Sequence, residues 1–264
     1  MINIPIIKRT IFEIVLQPTF VFALVIKVLV VFFLIYGVAL EYEQGTLISI
    51  KILGTDYSDL GLNTYLIRSF AEALMMVLMF VYILQSSSLF PETLKSPLLG
   101  ITLTKSVSRS GLFISKFIGQ AIVVFLPLLI LGVTISLVLF FKNGGFILLA
   151  PVFTTICFFF VFITMFSLLA LLSFFIEKYN TVSTIGIGIY FLLSPLLVYA
   201  VEYLNNPLIF YLSHILPPLR KLELVSINIL LGKEINIEAY ALSSIYIIIY
   251  FLIAIYLFRR RDIS

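Results

Sequence analysis

Long apolar runs, broken only by short polar stretches, set the pattern of this chain. Six of the runs are long enough for a helix to cross a bilayer core, which takes about 20 residues. They cover about residues 19–40, 69–90, 117–141, 146–176, 181–202 and 241–258. Lys27 interrupts the first, Glu72 lies near the start of the second, and Pro127 and Pro195 fall inside the third and fifth. At about 1.5 Å per residue the fourth run is longer than a bilayer core is thick. Its turns ahead of or around Pro151 are therefore expected at the membrane surface.

Residues 3–16, NIPIIKRTIFEIVL, carry a different pattern. Ile7, Ile11, Ile14 and Val15 share one helical face, Lys8, Arg9 and Glu13 are polar, and Arg9 and Glu13 stand one turn apart. Asn3 suits an N-cap and Pro5 a first turn. A helix this short is expected to lie in the interface rather than cross it.

Two of the longer connections carry patterns of their own. Between the first and second runs, LISIKI alternates Ser49 and Lys51 with isoleucines, which fits a short strand or surface segment. Between the fifth and sixth, the Pro217-Pro218 break precedes LRKLELVSINILL. There Leu219, Leu222, Val225 and Ile229 line one face, the pattern of a short interfacial or re-entrant helix. Internal repeats and low-complexity tracts are absent.

Composition agrees with a membrane chain. Hydrophobic residues make up 62% and charged residues 11%, against roughly 25% charged in a soluble domain. Six spans with loops use up the 264 residues, leaving no room for a soluble domain of ordinary size. Lys8 and Arg9 precede a stretch too long for a signal peptide and without an A-x-A-like site, so the N-terminus is expected to be retained. The lone Cys157 excludes an intrachain disulfide and reads as a buried small hydrophobe.

Lysine and arginine set the orientation. With a cytoplasmic N-terminus, ten fall inside: Lys8, Arg9, Lys95, Lys105, Arg109, Lys116, Lys178 and Arg259 to Arg261. Six fall outside: Lys51, Arg68, Lys142, Arg220, Lys221 and Lys233. Both termini are therefore expected in the cytoplasm, with loops 91–116 and Glu177–Asn180 inside and 41–68 and 203–240 outside.

The search for catalytic chemistry excludes several classes. Gly232-Lys233-Glu234 has a GK pair but neither the upstream glycine nor the hydroxyl of a P-loop. There is no H-E-x-x-H, no G-x-S-x-G, and no aspartate pair of the kind that holds magnesium. A single histidine, His214, cannot build a multi-histidine metal site and reads as an interfacial polar residue. The spans also lack the file of ionisable groups expected of a proton-driven pump, so an outside energy source is expected. Lys27, roughly 13 Å into its span, either snorkels or faces the bundle or a subunit interface. Glu72 reads as interfacial. A Lys27–Glu72 pair is disfavoured, since their depths differ by about 10 Å.

The segment PETLKSPLLGITLTKSVSRSGLFISKFIG resembles the inner segment of ABC-2 type transporter permeases, particularly the branch like the permease serving nitrous-oxide reductase maturation. The resemblance rests on Glu92, Leu98, Leu99, Leu103, Val107, Ser108, Arg109, Lys116, Phe117, Ile118 and Gly119. Ser106 stands where that family's box has proline, and Ser115 where glycine is frequent. The closing LFRRRDIS is similar to the family's end, through Phe258, Arg260, Arg261 and Asp262.

The resemblance implies an all-α fold with six transmembrane helices, a single ABC-2 type transmembrane domain over 1–264. It would have an amphipathic elbow helix at 1–17, a coupling segment at 91–116 and an extracytoplasmic segment at 203–240. It further implies a cell-membrane permease that works as a dimer, exports its cargo, and binds no cofactor itself. ATP and magnesium would sit on a separate cytoplasmic ABC ATPase. Besides that ATPase, its partners would be a second permease copy and membrane lipids, with no nucleic acid. Glu92, Leu98, Leu99, Leu103, Arg109 and Lys116 are the expected ATPase-coupling residues. The leucines offer a short apolar anchor and the charges a rim, although the charges equally suit anionic headgroups. The first and fifth spans would form the lateral gate. Two other classes stay open: a membrane scaffold or assembly factor without transport, and an intramembrane enzyme.

Overall fold

Six helical stretches in the computed structural model are long and apolar enough to cross a membrane: Pro18–Tyr36, Tyr65–Leu94, Arg109–Lys142, Ala150–Leu172, Tyr179–Val201 and Ile237–Arg260. The structure describes all residues except 1, 44–45, 58–59, 96–107, 143–148, 177, 205–215, 232–236 and 261–264. An even number of crossings puts both chain ends at one end of the bundle, here called the terminal end; the other is the distal end.

The elements in chain order are α1 (Ile4–Val15), α2 (Pro18–Tyr36), β1 (Val38–Glu43), β2 (Thr46–Ile52) and β3 (Thr55–Tyr57). Then come α3 (Leu60–Ser87), α4 (Leu89–Lys95), α5 (Arg109–Lys142) and α6 (Ala150–Leu172). The fifth span consists of α7 (Tyr179–Ile187), a π-helical segment (Gly188–Leu193) and α8 (Ser194–Leu204). Last are α9 (Leu219–Leu230) and α10 (Ile237–Arg260).

Local chemistry explains where these elements stop. The Asn3 side chain accepts from the Ile6 amide at 3.2 Å and Pro5 sits in the first turn, so α1 starts as its sequence predicts. The first span ends at Tyr36 rather than at residue 40. Gly37 closes α2 by donating to the Phe33 carbonyl at 2.7 Å, and VALEYE continues as β1. The third span starts at Arg109 rather than 117, because the Ser108 hydroxyl accepts from the Gly111 amide at 3.1 Å as an N-cap. At about 50 Å, α5 outreaches a bilayer core and projects beyond it. Residues 109–116 of the expected coupling segment are thus the first two turns of α5. Pro151 enters the first turn of α6, where its missing N–H costs nothing.

Pro195 shapes the fifth span. Its ring would clash with the carbonyl four residues earlier, and it has no N–H to donate. The chain widens into the π-helical segment just ahead of it, the usual accommodation for such a break.

The three strands form an antiparallel meander in order β1-β2-β3 at the distal end, so a small sheet joins the helical bundle. LISIKI lies in β2 as its alternation predicts, pairing Ile50 with Leu40 and Ile52 with Val38. Leu53 and Gly54, both at positive φ, make the two-residue turn to β3. The Lys142 ammonium donates to the Val38 carbonyl and ties α5 to the sheet.

Helix α6 is the hub. It packs on α3, α5, α7, α9 and α10, and its buried residues, Phe158, Phe162 and Thr164 to Leu169 among them, fall on every side of the helix. Its hydroxyls satisfy themselves locally: Thr164 donates to the Phe160 carbonyl and Ser167 to that of Thr164, both at 2.8 Å. In contrast α2 and α10 show most of their apolar surface to the surroundings.

Around the terminal half of α6 the core is aromatic. Phe113 packs against Phe90, Phe251 and Phe258 at centroid distances of 4.6, 5.6 and 5.7 Å, and Phe117 stacks on Phe166 at 4.5 Å. These rings join α4, α5, α6 and α10. The apolar face of α9 differs from expectation. Leu219, Leu222 and Val225 are buried, but Ile229 is half-buried, and Glu223, Ser226 and Ile227 complete the face. It is buried against α6 rather than against lipid.

Gly119 lets α1 seat directly on α5: a Cβ there would lie 2.9 Å from Thr10 Cβ and Cγ2, and Thr10 is buried. Gly119→Val is expected to cost about 1–3 kcal/mol by overpacking. Gly188→Ala, where nothing lies within 4 Å, is expected to be neutral or slightly stabilising. Thermal unfolding of both purified variants checks the contrast; equal shifts would refute the close seating.

Candidate coupling frame and buried ion network

Four elements meet at the terminal end around the two ends of segment 96–107. The Asn3 amide donates to Ser115 Oγ at 2.8 Å, fastening the start of α1 to α5. Arg9 and Glu13 pair on α1 at 2.7 Å, and the Lys116 ammonium lies 3.8 Å from the same Glu13 carboxylate. Lys116 also feels the charge of Glu92 on α4. Arg109 Nη1 donates to the Arg259 carbonyl at 3.2 Å, so a cation caps the C-terminal turn of α10 where the helix dipole favours it.

Of the six expected coupling residues, the structure thus brings Glu92 and Lys116 into one charged cluster and puts Arg109 on α10. Leu98, Leu99 and Leu103 lie outside the described residues, as does His214. Glu13 and Ser115 complete the cluster but were not among the coupling residues expected from the sequence. The i,i+4 spacing of Arg9 and Glu13 was visible; the tertiary contact with Lys116 was not.

The bend between α3 and α4 orients Glu92. Ser87 and Ser88 turn their hydroxyls onto the Leu84 and Gln85 carbonyls at 3.0 and 3.3 Å, and Thr93 donates to that of Leu89. These side chains replace water for a backbone leaving regular helix.

A second charged group lies toward the distal end, between α3, α9 and the fifth span. Glu72 accepts from Arg68 Nε at 3.0 Å and from Arg220 Nη2 at 3.3 Å. Arg220 Nη1 reaches Glu223 at 2.8 Å, and the Arg220 amide donates to Ser194 Oγ at 3.1 Å. Glu223 is 2% exposed, and the Tyr190 hydroxyl of the π-helical segment stands beside its carboxylate, short of a full hydrogen bond. Burial pushes the Glu223 carboxyl above the ordinary carboxylate range, and Arg220 pulls against that shift without cancelling it.

Glu72 is therefore a partner in a network rather than a lone interfacial acid, and Lys27 is no part of it. Lys27 faces the bundle, with its ammonium 5.3 Å from the centre of the Tyr82 ring. Of the two sequence alternatives, the bundle-facing one holds. Arg220 and Glu223 escaped sequence reading because on α9 they look like ordinary solvated charges. Among the described residues no group of three or more potential metal-ligating side chains forms.

Six helices long and apolar enough to cross a membrane, with charged contacts near both ends of the bundle, are the frame of a multi-pass membrane protein. The chain belongs to the ABC-2 family: the family model for ABC-2 family transporter protein matches residues 14–263, nearly the whole chain. Members of this family are membrane components rather than ATPases, and they work with an ABC ATPase. No curated protein matches the chain significantly.

Arg220→Met is expected to destabilise by about 3–5 kcal/mol at neutral pH, since it strands the Glu223 charge. The penalty should shrink on acidification as that carboxyl protonates. In the unmodified protein the folded state holds the Glu223 proton above pH 4.5, where an unfolded carboxyl has lost it. The Glu223 contribution to stability therefore falls as pH rises through that window. Thermal unfolding against pH, with Glu223→Gln flattening this component, is the measurement; a pH-independent Arg220→Met penalty would contradict it.

Proposed function

We propose that the chain is the permease subunit of an ABC exporter, forming the translocation pathway as a dimer and driven by a separate cytoplasmic ATPase. The observation that carries this reading is the frame at the terminal end. Helix α1, α4, the start of α5 and the end of α10 are fastened by Asn3–Ser115, Glu13–Lys116 and Arg109–Arg259 contacts. A segment held between α4 and α5 in such a frame can pass a push to the spans instead of absorbing it, because packed aromatic rings join α4 and α5 to α6 and α10.

In this reading residues 96–107 dock on the ATPase, with Leu98, Leu99 and Leu103 as the apolar anchor. Lys105 is expected on the rim, and Glu92, Arg109 and Lys116 hold the two ends of the segment. ATP and magnesium belong to the partner. The terminal end faces the cytoplasm of a cell-membrane protein, as the excess of lysine and arginine there suggests. The boxes around Arg109 and Lys116 favour the branch that resembles the nitrous-oxide reductase maturation permease. The first and fifth spans, both largely uncovered in the single chain, suit the dimer gate.

Affinity purification of the tagged protein is expected to bring down an ATPase, and Leu98→Asp or Leu99→Asp to abolish that capture while leaving thermal unfolding unchanged. Capture surviving both changes would remove the segment from the interface. Orientation is tested in a Cys157→Ser background carrying Lys105→Cys. An impermeant maleimide is expected to label that cysteine only after lysis; labelling in intact cells would overturn the assignment.

A further inference from the structure

The proposed coupling frame leaves one buried polar group unused, between α2, α3 and α5. Lys27 on α2 is 7% exposed, and its ammonium stands over the ring of Tyr82 on α3 at 5.3 Å from the centroid. Tyr82, Gln85 and Ser86 are spaced i, i+3, i+4 and so share one face of α3; Tyr82 and Gln85 are each 2% exposed. Gln120 on α5 is fully buried and donates to Ser86 Oγ at 3.0 Å. The Tyr82 hydroxyl, both amide atoms of Gln85 and the Gln120 carbonyl oxygen have no hydrogen-bond partner among the described residues. No carboxylate there pairs with Lys27 either.

An unpaired cation, two unmet donors (the Tyr82 hydroxyl and Gln85 Nε2) and two unmet amide oxygens inside a membrane protein are costly to keep. Seven other buried side-chain polar atoms also lack a partner among the described residues; what sets this group apart is the Lys27 ammonium, which no carboxylate among them pairs with. An ammonium beside a face of α3 that carries a phenol hydroxyl and an amide N–H complements a single anionic group with several acceptor oxygens. The anion's source follows from the surroundings. Next to Lys27, the outward face of α2 shows Phe22, Val25, Val28 and Leu29 to the membrane. A free anion would have to cross that apolar surface, whereas an amphiphile can lay its hydrocarbon along it.

We propose that Lys27, Tyr82 and Gln85 form a binding site for the anionic, phosphate-bearing headgroup of an amphiphile whose hydrocarbon lies along the apolar flank of α2. Lys27 supplies the charge, with the Tyr82 ring holding the ammonium in place from one side. Gln85 and the Tyr82 hydroxyl supply neutral donors. The site deepens the permease reading by naming a cargo class and rests on that reading for transport alone; binding is independent of it.

The chain has no tryptophan, so Leu24→Trp, at an exposed position one turn before Lys27, places a single fluorescent reporter beside the site and leaves its three residues intact. In phosphatidylcholine nanodiscs, phosphatidylglycerol is expected to change its emission saturably, and inorganic phosphate alone to leave it unchanged. Adding Lys27→Met should weaken the response about tenfold or more, the scale of a lost charge-assisted contact, while Lys27→Arg preserves it. If the tryptophan variant does not fold, native mass spectrometry is the second measurement. The otherwise unmodified protein should retain one more phosphatidylglycerol than Lys27→Met. Identical titrations or lipid counts with and without the Lys27 charge would overturn the site, and saturation by inorganic phosphate alone would overturn the amphiphile. A protein that captures an ATPase but shows no lysine-dependent response would sink this site and leave the permease reading standing.

Discussion

Within a bilayer core no water is available to a polar group, so each donor, acceptor or charge must find its partner in the protein or give up free energy. That constraint orders most of this structure. Serine and threonine hydroxyls inside the spans fold back onto carbonyls of their own helices, as with Thr164, Ser167 and Ser173. The break at Ser88 is bridged by hydroxyls rather than left open. Buried Glu223 is held by Arg220, which also serves Glu72, so two carboxylates share one guanidinium near the distal end. Charges at the bundle ends can be held loosely, since water and headgroups reach them; Arg9 and Glu13 are both substantially exposed.

The two ends use different means of cohesion, and this bears on how force could pass. At the terminal end the fastenings are a few polar contacts laid over a stacked phenylalanine core, with Phe113 touching rings from α4 and α10 as well as its own helix. Close-packed rings move together or not at all, so displacement of α4 against α5 must be shared with α6 and α10. The distal end depends on ion pairs, a small sheet and a widened helical turn. Ion pairs exchange partners at lower cost than a packed core deforms. For the gate proposed above, this would pair a rigid input with a more adaptable output.

Much of the fold was legible because spans and interfacial helices are written in long-range hydropathy. All six spans, the short helix α1 with its Asn3 cap and a short helix after Pro217-Pro218 follow from pattern alone, and of the two readings of LISIKI the strand holds. The errors sit at the ends of elements. Gly37 and Ser108 shifted two boundaries by several residues, because a cap overrides a hydropathy run. The π-helical turn was invisible: Pro195 signalled a disturbance but not its form. The ionic sites were least legible. Glu72 and Lys27 stood out as charges in apolar runs, yet their partners, Arg220 and Tyr82, lie 148 and 55 positions away in the chain. Pairing at that distance is a product of helix packing, which hydropathy does not encode.

Lys27 and Glu72 also show why charge count alone is a weak guide to role inside a membrane. Both interrupt apolar helices, and their surroundings separate them. Glu72 lies within reach of two arginines, and its charge is balanced without any ligand. Lys27 stands against the Tyr82 ring and pairs with no carboxylate among the described residues. A ring quadrupole offsets part of the cost of a buried ammonium but not the whole of it. One charge is balanced within the described residues and the other is not, and that difference is what the proposed headgroup site rests on.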